Sequence, residues 1–96
     1  MSKIKASHIL VKKHGQAEEL LNQLKSVSES QRANLFKKLA QENSECPSKK
    51  KGGDLGAFGR GQMVKEFEKA AYELQVGQLS GVVKTQFGYH IIMRTG

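Results

Sequence analysis

The sequence predicts an α+β domain in which a single four-stranded sheet carries packed helices. Apolar residues alternate with a period of two at the beginning of the chain and in two runs near its end, which is the pattern of β-strands. Between these runs, three segments space apolar residues three or four positions apart, as amphipathic helices do. The helical segments are too few and too irregularly placed for a doubly wound parallel sheet, so the α+β class is favoured.

The first strand is predicted at Ile4–Val11, where both faces become apolar toward the C-terminal half. A strand with two apolar faces indicates a central position in the sheet, covered on both sides. A polar turn is expected at Lys12–Gly15, and a helix follows it. The apolar stripe of this first helix consists of Ala17, Leu20, Leu21 and Leu24.

A second helix is predicted to begin at Ser28, which forms the pattern of a capping box with Gln31. The polar segment Gln41–Lys51, which carries the only proline and ends in three lysines, is predicted to be a loop. The buried stripe of the second helix is expected to contain Ala33, Phe36, Leu39 and Ala40.

The stretch Gly52–Met63, GGDLGAFGRGQM, combines closely spaced glycines with apolar side chains, and it predicts a short strand between tight turns that lines a site.

A third helix is expected to stop near Gly77. The runs Val82–Lys84 and Tyr89–Arg94, separated by a turn around Gly88, predict a closing β-hairpin. The stripe of the third helix consists of Phe67, Ala70, Ala71 and Leu74.

The composition of the chain limits its size class and its partners. Ninety-six residues with 38% hydrophobic content predict one folded domain spanning residues 1–96. The formal net charge of +7 is spread along the chain, so the surface should attract anions in general. Weak non-specific nucleic-acid binding is therefore expected, whereas a dedicated nucleic-acid site would need interleaved aromatic residues that the sequence lacks.

Neither membrane insertion nor secretion is encoded in the sequence. No run of about 18 apolar residues is present, and the N-terminal MSKIKASHIL lacks the apolar core of a signal peptide. Cys46 is the only cysteine, so no intramolecular disulfide can form, which fits a reducing compartment. We expect a cytoplasmic monomer, with a nuclear location also open if the chain is eukaryotic.

Two histidines occupy unusual positions, His8 within the first predicted strand and His90 within the last, and each is followed directly by isoleucine. Buried imidazole rings need hydrogen-bond partners, and neighbouring first and last strands would let the two rings satisfy each other. Strand context alone favours such a core pair over a catalytic role. A shared proton would couple the titrations of the two rings.

Cys46 lies in a polar and strongly basic loop, NSECPSKKKGG, a setting typical of reactive thiols. A small loop residue without a chemical role is an equally good interpretation. Neither a metal site with His8 and His90 nor any cofactor is expected, because no CxxC, HxxxH or acidic ligand cluster accompanies these residues and GRGQM lacks the GK[ST] of a phosphate-binding loop. The apolar residues beside the loops, for which burial in the core is the usual fate, are Leu55, Met63, Phe67 and Phe87.

Three blocks follow one another over nearly the whole chain: SHILVKK at 7–13, CPSKKKGGDLGAFGRGQM at 46–63 and TQFGYHIIMRTG at 85–96. Together they resemble the signature blocks of the parvulin family of peptidyl-prolyl cis/trans isomerases. The resemblance implies a four-stranded antiparallel sheet that forms a curved half-barrel surrounded by helices, in the order β-α-α-(α)-β-α-β-β. It also implies a peptide groove across one face of that sheet.

The resemblance assigns roles position by position. His8 and His90 match paired histidines beneath the active site, and Thr85 matches a threonine that belongs to their hydrogen-bond network. Cys46 matches a cysteine or aspartate that lines the site. The residues that correspond to the substrate pocket are Leu55, Met63 and Phe67, which hold the proline ring, and Phe87 at the rim.

The implied activity is rotation about X-Pro bonds in proline-containing segments of other proteins. Rotation requires loss of amide resonance rather than an acid, a base or a nucleophile, and its uncatalysed barrier is about 18 to 20 kcal/mol. An apolar pocket that binds the twisted amide more tightly than the planar forms would lower this barrier. Cys46 is then expected to act electrostatically rather than covalently.

Phosphorylation-dependent parvulins carry a long loop with an arginine pair after the first strand, whereas the corresponding turn here is short and contains no arginine. We therefore expect no strict phosphate requirement. Two other function classes stay open: a parvulin-fold binding module with a chaperone-like role, and a basic nucleic-acid binder. Candidate contacts for an acidic residue before proline are Lys12, Lys13, Lys49, Lys50 and Lys51, although lysine suits phosphate less well than the arginine fork.

Overall fold

The computed structural model describes residues 3–96, and these form a four-stranded antiparallel sheet and three α-helices. A short 3₁₀ helix, Pro47–Lys51, lies between the second helix and the second strand. The predicted α+β class and the predicted order of elements are therefore confirmed. In chain order the elements are β1 Ile4–Val11, α1 His14–Lys25, α2 Glu29–Asn43, β2 Asp54–Phe58, α3 Lys65–Glu73, β3 Leu79–Thr85 and β4 Gly88–Arg94.

The sheet is open, with the strand order β2-β1-β4-β3 and antiparallel pairing throughout. The first and last strands thus form its centre, as the two apolar faces of β1 indicate. In their register, Leu10 lies opposite His90, and His8 lies opposite Ile92. Because side chains two residues apart on a strand share a face, His8 and His90 become diagonal neighbours on one face of the sheet.

One face of the sheet is covered by α1 and α2. Ile9 and Val11 of β1 and Ile91 and Met93 of β4 are buried here in a single apolar cluster. Full burial of a large aliphatic side chain contributes about 1.5 to 3 kcal/mol, so this cluster is a major source of stability. The predicted stripe of α1 packs into the same cluster with all four of its residues buried, namely Ala17, Leu20, Leu21 and Leu24.

The opposite face is only partly covered, by α3. Ile4 and Ala6 of β1 pack there with Phe58, Phe67 and other buried residues of a second apolar cluster. Farther along β1, the same face continues with His8 and Leu10, which border an open cavity instead of a helix. None of the helices in residues 3–96 combines the length and the apolar character needed to span a bilayer.

Several predicted boundaries near α1 and α2 are wrong. The turn predicted at Lys12–Gly15 is shorter, because α1 already begins at His14. Ser28 is the N-cap residue of α2, but its hydroxyl lies 3.1 Å from the hydroxyl of Ser30 and does not cap the helix. Ala33 is exposed rather than buried, since the neighbouring Arg32 takes the inward position and its Nε donates a hydrogen bond of 3.0 Å to the carbonyl of Leu24.

The segment Gln41–Lys51 is not the single loop that its polarity predicts. Helix α2 continues to Asn43, and Pro47 opens the 3₁₀ helix, where its missing N–H group is not needed. Gly77 is not the residue at which α3 stops, because that helix ends at Glu73. Gly77 lies in the following turn, where it has a φ of +88° and donates a backbone hydrogen bond of 2.7 Å to Arg94.

Candidate active site

An open cavity of about 470 Å³ lies on the face of the sheet that α3 covers only partly. Two larger surface depressions, of about 570 and 580 Å³, are lined mainly by polar and charged side chains and contain none of the predicted site residues. The 470 Å³ cavity, in contrast, is lined mainly by apolar side chains, and we call it the central cavity. Its lining residues are His8, Leu10, Glu45, Cys46, Pro47, Leu55, Gln62, Met63, Val64, Phe67, Phe87 and His90.

The two histidines meet beneath this cavity. The Nδ1 atoms of His8 and His90 are 3.0 Å apart, and the two rings stack with centroids 5.1 Å apart and an angle of 21° between their planes. On its other side, His90 Nε2 lies 2.7 Å from the hydroxyl oxygen of Thr85. That oxygen also accepts a hydrogen bond of 3.1 Å from the backbone N–H of Phe87. The chain thus builds one continuous network from β1 to the β3–β4 turn.

Both imidazoles are neutral at physiological pH. His8 and His90 are only 5% and 3% exposed. Burial and, to a smaller extent, the charge that His90 would carry lower the pKa of His8 from 6.5 to about 4. Burial alone lowers the pKa of His90 to about 4. The floor of the central cavity therefore carries no fixed charge.

The hydrogen-bond partners favour one tautomer of each ring, the one that leaves the fewest polar atoms without a partner. The Thr85 oxygen already accepts a hydrogen bond from the backbone N–H of Phe87, and its own O–H finds an acceptor if it donates to His90 Nε2. His90 then carries its proton on Nδ1 and donates it to His8 Nδ1. His8 consequently carries its proton on Nε2, the one ring atom of the pair that has no partner among residues 3–96.

Phe67 of α3 packs against both imidazoles. Its ring is edge-on to His8 at 5.4 Å and to His90 at 5.3 Å between centroids. Edge-to-face contacts of this kind favour one orientation of each ring. Phe67 is itself 3% exposed, so it joins the histidine pair to the second apolar cluster while bordering the central cavity.

Cys46 borders the central cavity from a segment that is fixed to β1. The buried hydroxyl of Ser44 accepts hydrogen bonds from the backbone N–H groups of Leu10, at 3.0 Å, and of Cys46, at 3.4 Å. The backbone N–H of Glu45 donates a bond of 2.8 Å to the carbonyl of Leu10. The half-buried thiol is therefore held in place, and no group of three or more metal-ligating side chains surrounds it in the part of the chain that the structure describes.

The glycine-rich stretch borders the site as its composition indicates. Gly53 accepts a hydrogen bond of 2.9 Å from the backbone N–H of His8 and has a φ of +87°. A Cβ atom at this position would collide with the carbonyl oxygen of His8, so only glycine permits the close approach. Farther along, the side-chain carbonyl of Gln62 accepts a hydrogen bond of 2.6 Å from the backbone of Gly59 and closes the turn that leads to Met63.

The structure brings together seven of the eight predicted catalytic and substrate-binding residues around the central cavity, and Thr85 adjoins it through His90. Phe87 lies at the rim, with 50% of its surface exposed. None of the five predicted lysine contacts lines the cavity. Lys12 reaches the rim, where its Nζ donates a hydrogen bond of 3.3 Å to the carbonyl of Phe87. Lys51 borders a separate depression with Lys5 and Lys37.

Five lining residues were not singled out from the sequence. Each is close in sequence to a residue that was: Leu10 is two positions from His8 on the same strand face, and the others flank Cys46 or Met63. Such adjacency was the available signal, but it does not say which neighbours point toward the cavity. The five residues are Leu10, Glu45, Pro47, Gln62 and Val64.

A model of the rotamase family described as the PPIC-type PPIase domain matches residues 8–96 of this chain. The chain belongs to the parvulin family. Peptidyl-prolyl cis-trans isomerase Pin1 of Arabidopsis thaliana is 45% identical to this parvulin in an alignment of 113 positions. The alignment covers 96% of this chain and 94% of the relative. The solution structure of NmPin, the parvulin of Nitrosopumilus maritimus, superposes with a TM-score of 0.82 at 49% identity and covers 100% of this chain and 98% of that one.

A second group of relatives is longer. Foldase protein PrsA of Geobacillus sp. (strain WCH70) is 54% identical over 94 residues, which are 97% of this parvulin but 32% of the relative. The chain thus spans about a third of the length of the PrsA foldases that it matches.

Proposed function

We propose that this parvulin catalyses cis/trans isomerisation of X-Pro bonds in proline-containing segments of other proteins. The observation that carries the proposal is the central cavity, in which an apolar wall stands over a neutral, hydrogen-bonded histidine pair. Its volume of about 470 Å³ lies in the range of small ligand sites, so a proline ring with its flanking backbone fits. Leu55, Met63 and Phe67 supply the apolar surface for that ring.

The absence of fixed charge at the floor of the cavity suits the reaction. A millisecond turnover requires a barrier about 5 to 6 kcal/mol lower than the uncatalysed 18 to 20 kcal/mol. The twisted amide has lost its resonance and is less polar than the planar amide, so it gains relative to the planar forms when water is displaced by apolar side chains. Binding that is stronger in the twisted state than in either planar state accelerates rotation in both directions.

Cys46 acts without forming a covalent bond in this proposal. A covalent route would need a base to take the thiol proton. Both nitrogens of His90 are engaged in hydrogen bonds, His8 Nδ1 accepts one, and His8 Nε2 carries a proton in the assigned tautomer. The histidine pair therefore offers no free base, which supports an electrostatic role for the thiol beside the substrate carbonyl.

The enzyme has no strict phosphate requirement in this proposal. Arginine forks and lysine clusters are the usual partners of a phosphate group. No arginine or lysine is among the residues that line the central cavity, and Lys12 reaches only the Phe87 carbonyl at the rim. The monomeric state, the cytoplasmic location and the weak attraction to nucleic acid stay predictions from the sequence.

The decisive experiment is a proline-isomerisation assay on peptides with leucine, lysine, glutamate or phosphoserine before proline. We expect turnover of the unphosphorylated peptides and a large loss for Phe67→Ala. Because Phe67 is buried, Leu55→Ala at a half-buried position serves as a second variant that should fold, and Val76→Ala at a position 64% exposed and outside the cavity serves as the control.

Three outcomes would count against the proposal or a part of it. Inactivity of the wild-type chain on every peptide refutes the isomerase function, and peptide binding without turnover favours the binding module instead. Activity on the phosphoserine peptide alone refutes the proposed independence from phosphate.

A further inference from the structure

One charged side chain borders the central cavity, and its sign is opposite to that of the chain as a whole. The chain has a formal net charge of +7, yet the residues that line the cavity include Glu45 and no lysine or arginine. His8 and His90 contribute no charge, because burial keeps both rings neutral. A substrate therefore meets Glu45 in the lining itself, whereas the ammonium group of Lys12 lies outside the lining, at the Phe87 carbonyl on the rim.

The position of Glu45 is fixed by its backbone while its side chain stays exposed. Its N–H donates a hydrogen bond of 2.8 Å to the carbonyl of Leu10 in the central strand β1. The hydroxyl of the preceding Ser44 accepts hydrogen bonds from the backbone N–H groups of Leu10 and of Cys46, the residue that follows Glu45. The ion pairs in residues 3–96 join His14 with Glu18 and Arg60 with Glu68, so the carboxylate of Glu45 has no cationic partner there. Its charge is available to a bound molecule.

The apolar wall strengthens the effect of this charge on a bound peptide. Field lines from a charge beside low-dielectric surface are less screened than those of a charge surrounded by water. The positive lysines Lys49, Lys50 and Lys51 follow Glu45 in sequence but do not line the cavity. Among the residues that line the cavity, the charge available to a bound peptide is thus negative.

We propose that Glu45 is a specificity-determining residue of this parvulin. Its carboxylate favours peptides with lysine or arginine next to proline and disfavours glutamate or phosphoserine at that position. The inference deepens the proposed isomerase function, on which it rests, by naming the substrate class. It also predicts a preference opposite to the one expected from the five basic residues Lys12, Lys13, Lys49, Lys50 and Lys51.

The test compares wild type with Glu45→Gln, which removes the charge and keeps the shape of the side chain. Glu42→Gln on the exposed surface of α2 removes one negative charge outside the cavity and is the matched control. For each chain, kcat/KM and the Kd from NMR titration are measured on otherwise identical peptides with lysine, leucine or glutamate beside proline. Both orders, X-Pro and Pro-X, are included.

In wild type, we expect the lysine peptide to exceed the leucine peptide by about two- to fivefold and the glutamate peptide to fall below it, as for an exposed ion pair. Glu45→Gln should bring the three peptides together, whereas Glu42→Gln should keep the wild-type order. The preference should also disappear at 1 M salt, where the Debye length is about 3 Å.

Failure of this inference is distinguishable from failure of the isomerase proposal. Equal lysine-to-glutamate ratios in wild type and Glu45→Gln, or a wild-type preference for glutamate, overturn the role of Glu45 while turnover of the leucine peptide still supports the enzyme. If no peptide is turned over, the isomerase proposal fails, and the Kd ratios alone then decide whether Glu45 selects the charge of the bound peptide.

Discussion

The network beneath the central cavity makes a sharp prediction for Thr85→Val. The substitution keeps the shape of the side chain and replaces the hydroxyl by a methyl group. It removes the 2.7 Å hydrogen bond to His90 Nε2 and the 3.1 Å hydrogen bond from the backbone of Phe87. The bond from Phe87 is only partly buried, so water can replace that partner, but the ring of His90 is 3% exposed and stays unsatisfied.

The expected cost follows from this difference in burial. A buried polar atom left without a partner costs about 1 to 3 kcal/mol, whereas a bond exchanged for water costs little. The free energy of unfolding should therefore fall by about 1 to 3 kcal/mol. For a domain of this size, each kcal/mol corresponds to a decrease of about 4 to 8 °C in Tm.

The same substitution should change the tautomers of the two histidines. In the favoured arrangement of the wild type, the hydroxyl of Thr85 donates to His90 Nε2, so we expect His90 to be protonated on Nδ1 and His8 on Nε2. Without that donor, nothing requires His90 Nε2 to be an acceptor, and both rings should populate two tautomers. Long-range ¹H–¹⁵N correlation spectra of the imidazole rings report the tautomer of each histidine directly.

The assay combines urea unfolding, those spectra and the isomerisation rate, with Thr85→Ser as the control that retains the hydroxyl. Thr85→Ser should keep the wild-type tautomers even if it loses some packing. A wild-type spectrum with the proton of His90 on Nε2 would refute the assignment. Unchanged stability in Thr85→Val would refute the claim that the hydroxyl satisfies a buried nitrogen.

Three further predictions concern charge, chemistry and backbone. Burial, together with the smaller effect of the His90 charge on His8, lowers the pKa of both rings from 6.5 to about 4, so unfolding takes up protons below pH 6.5. The free energy of unfolding should therefore decrease from pH 6.5 toward pH 4, by on the order of a few kcal/mol for the pair. Ring resonances that titrate near pH 6.5 in an NMR experiment would contradict this. Cys46→Asp should retain much of the activity on the leucine peptide, whereas a loss on the order of 10⁴ would indicate a covalent nucleophile. Gly53→Ala should lower the free energy of unfolding by more than about 2 kcal/mol, since a residue with a side chain is strained at its φ of +87° and the added Cβ meets the His8 carbonyl. The matched Gly15→Ala, whose Cβ meets nothing within 4 Å in helix α1, should be neutral or stabilising in the same urea titration.

Local patterns were sufficient for most elements of the fold. The alternation at Ile4–Val11 predicted the bounds of β1, and the stripe from Ala17 to Leu24 predicted the buried face of α1. These features depend on residues that are near each other in sequence, so their period is visible without the rest of the chain. The errors fell where a single helix position or a cap decided the outcome, as at Ala33 and in the segment Gln41–Lys51.

The candidate residues of the site were also visible in the sequence, through two histidines in apolar strands and the three blocks of the family. Only the tertiary structure decided how they are arranged. The pairing of β1 with β4 places the Nδ1 atoms of His8 and His90 3.0 Å apart across 82 positions of sequence. It also decided that Glu45 borders the central cavity whereas the five candidate lysines do not. Strand pairing and the direction of a loop side chain depend on contacts between distant segments, and no local pattern of residues encodes those contacts.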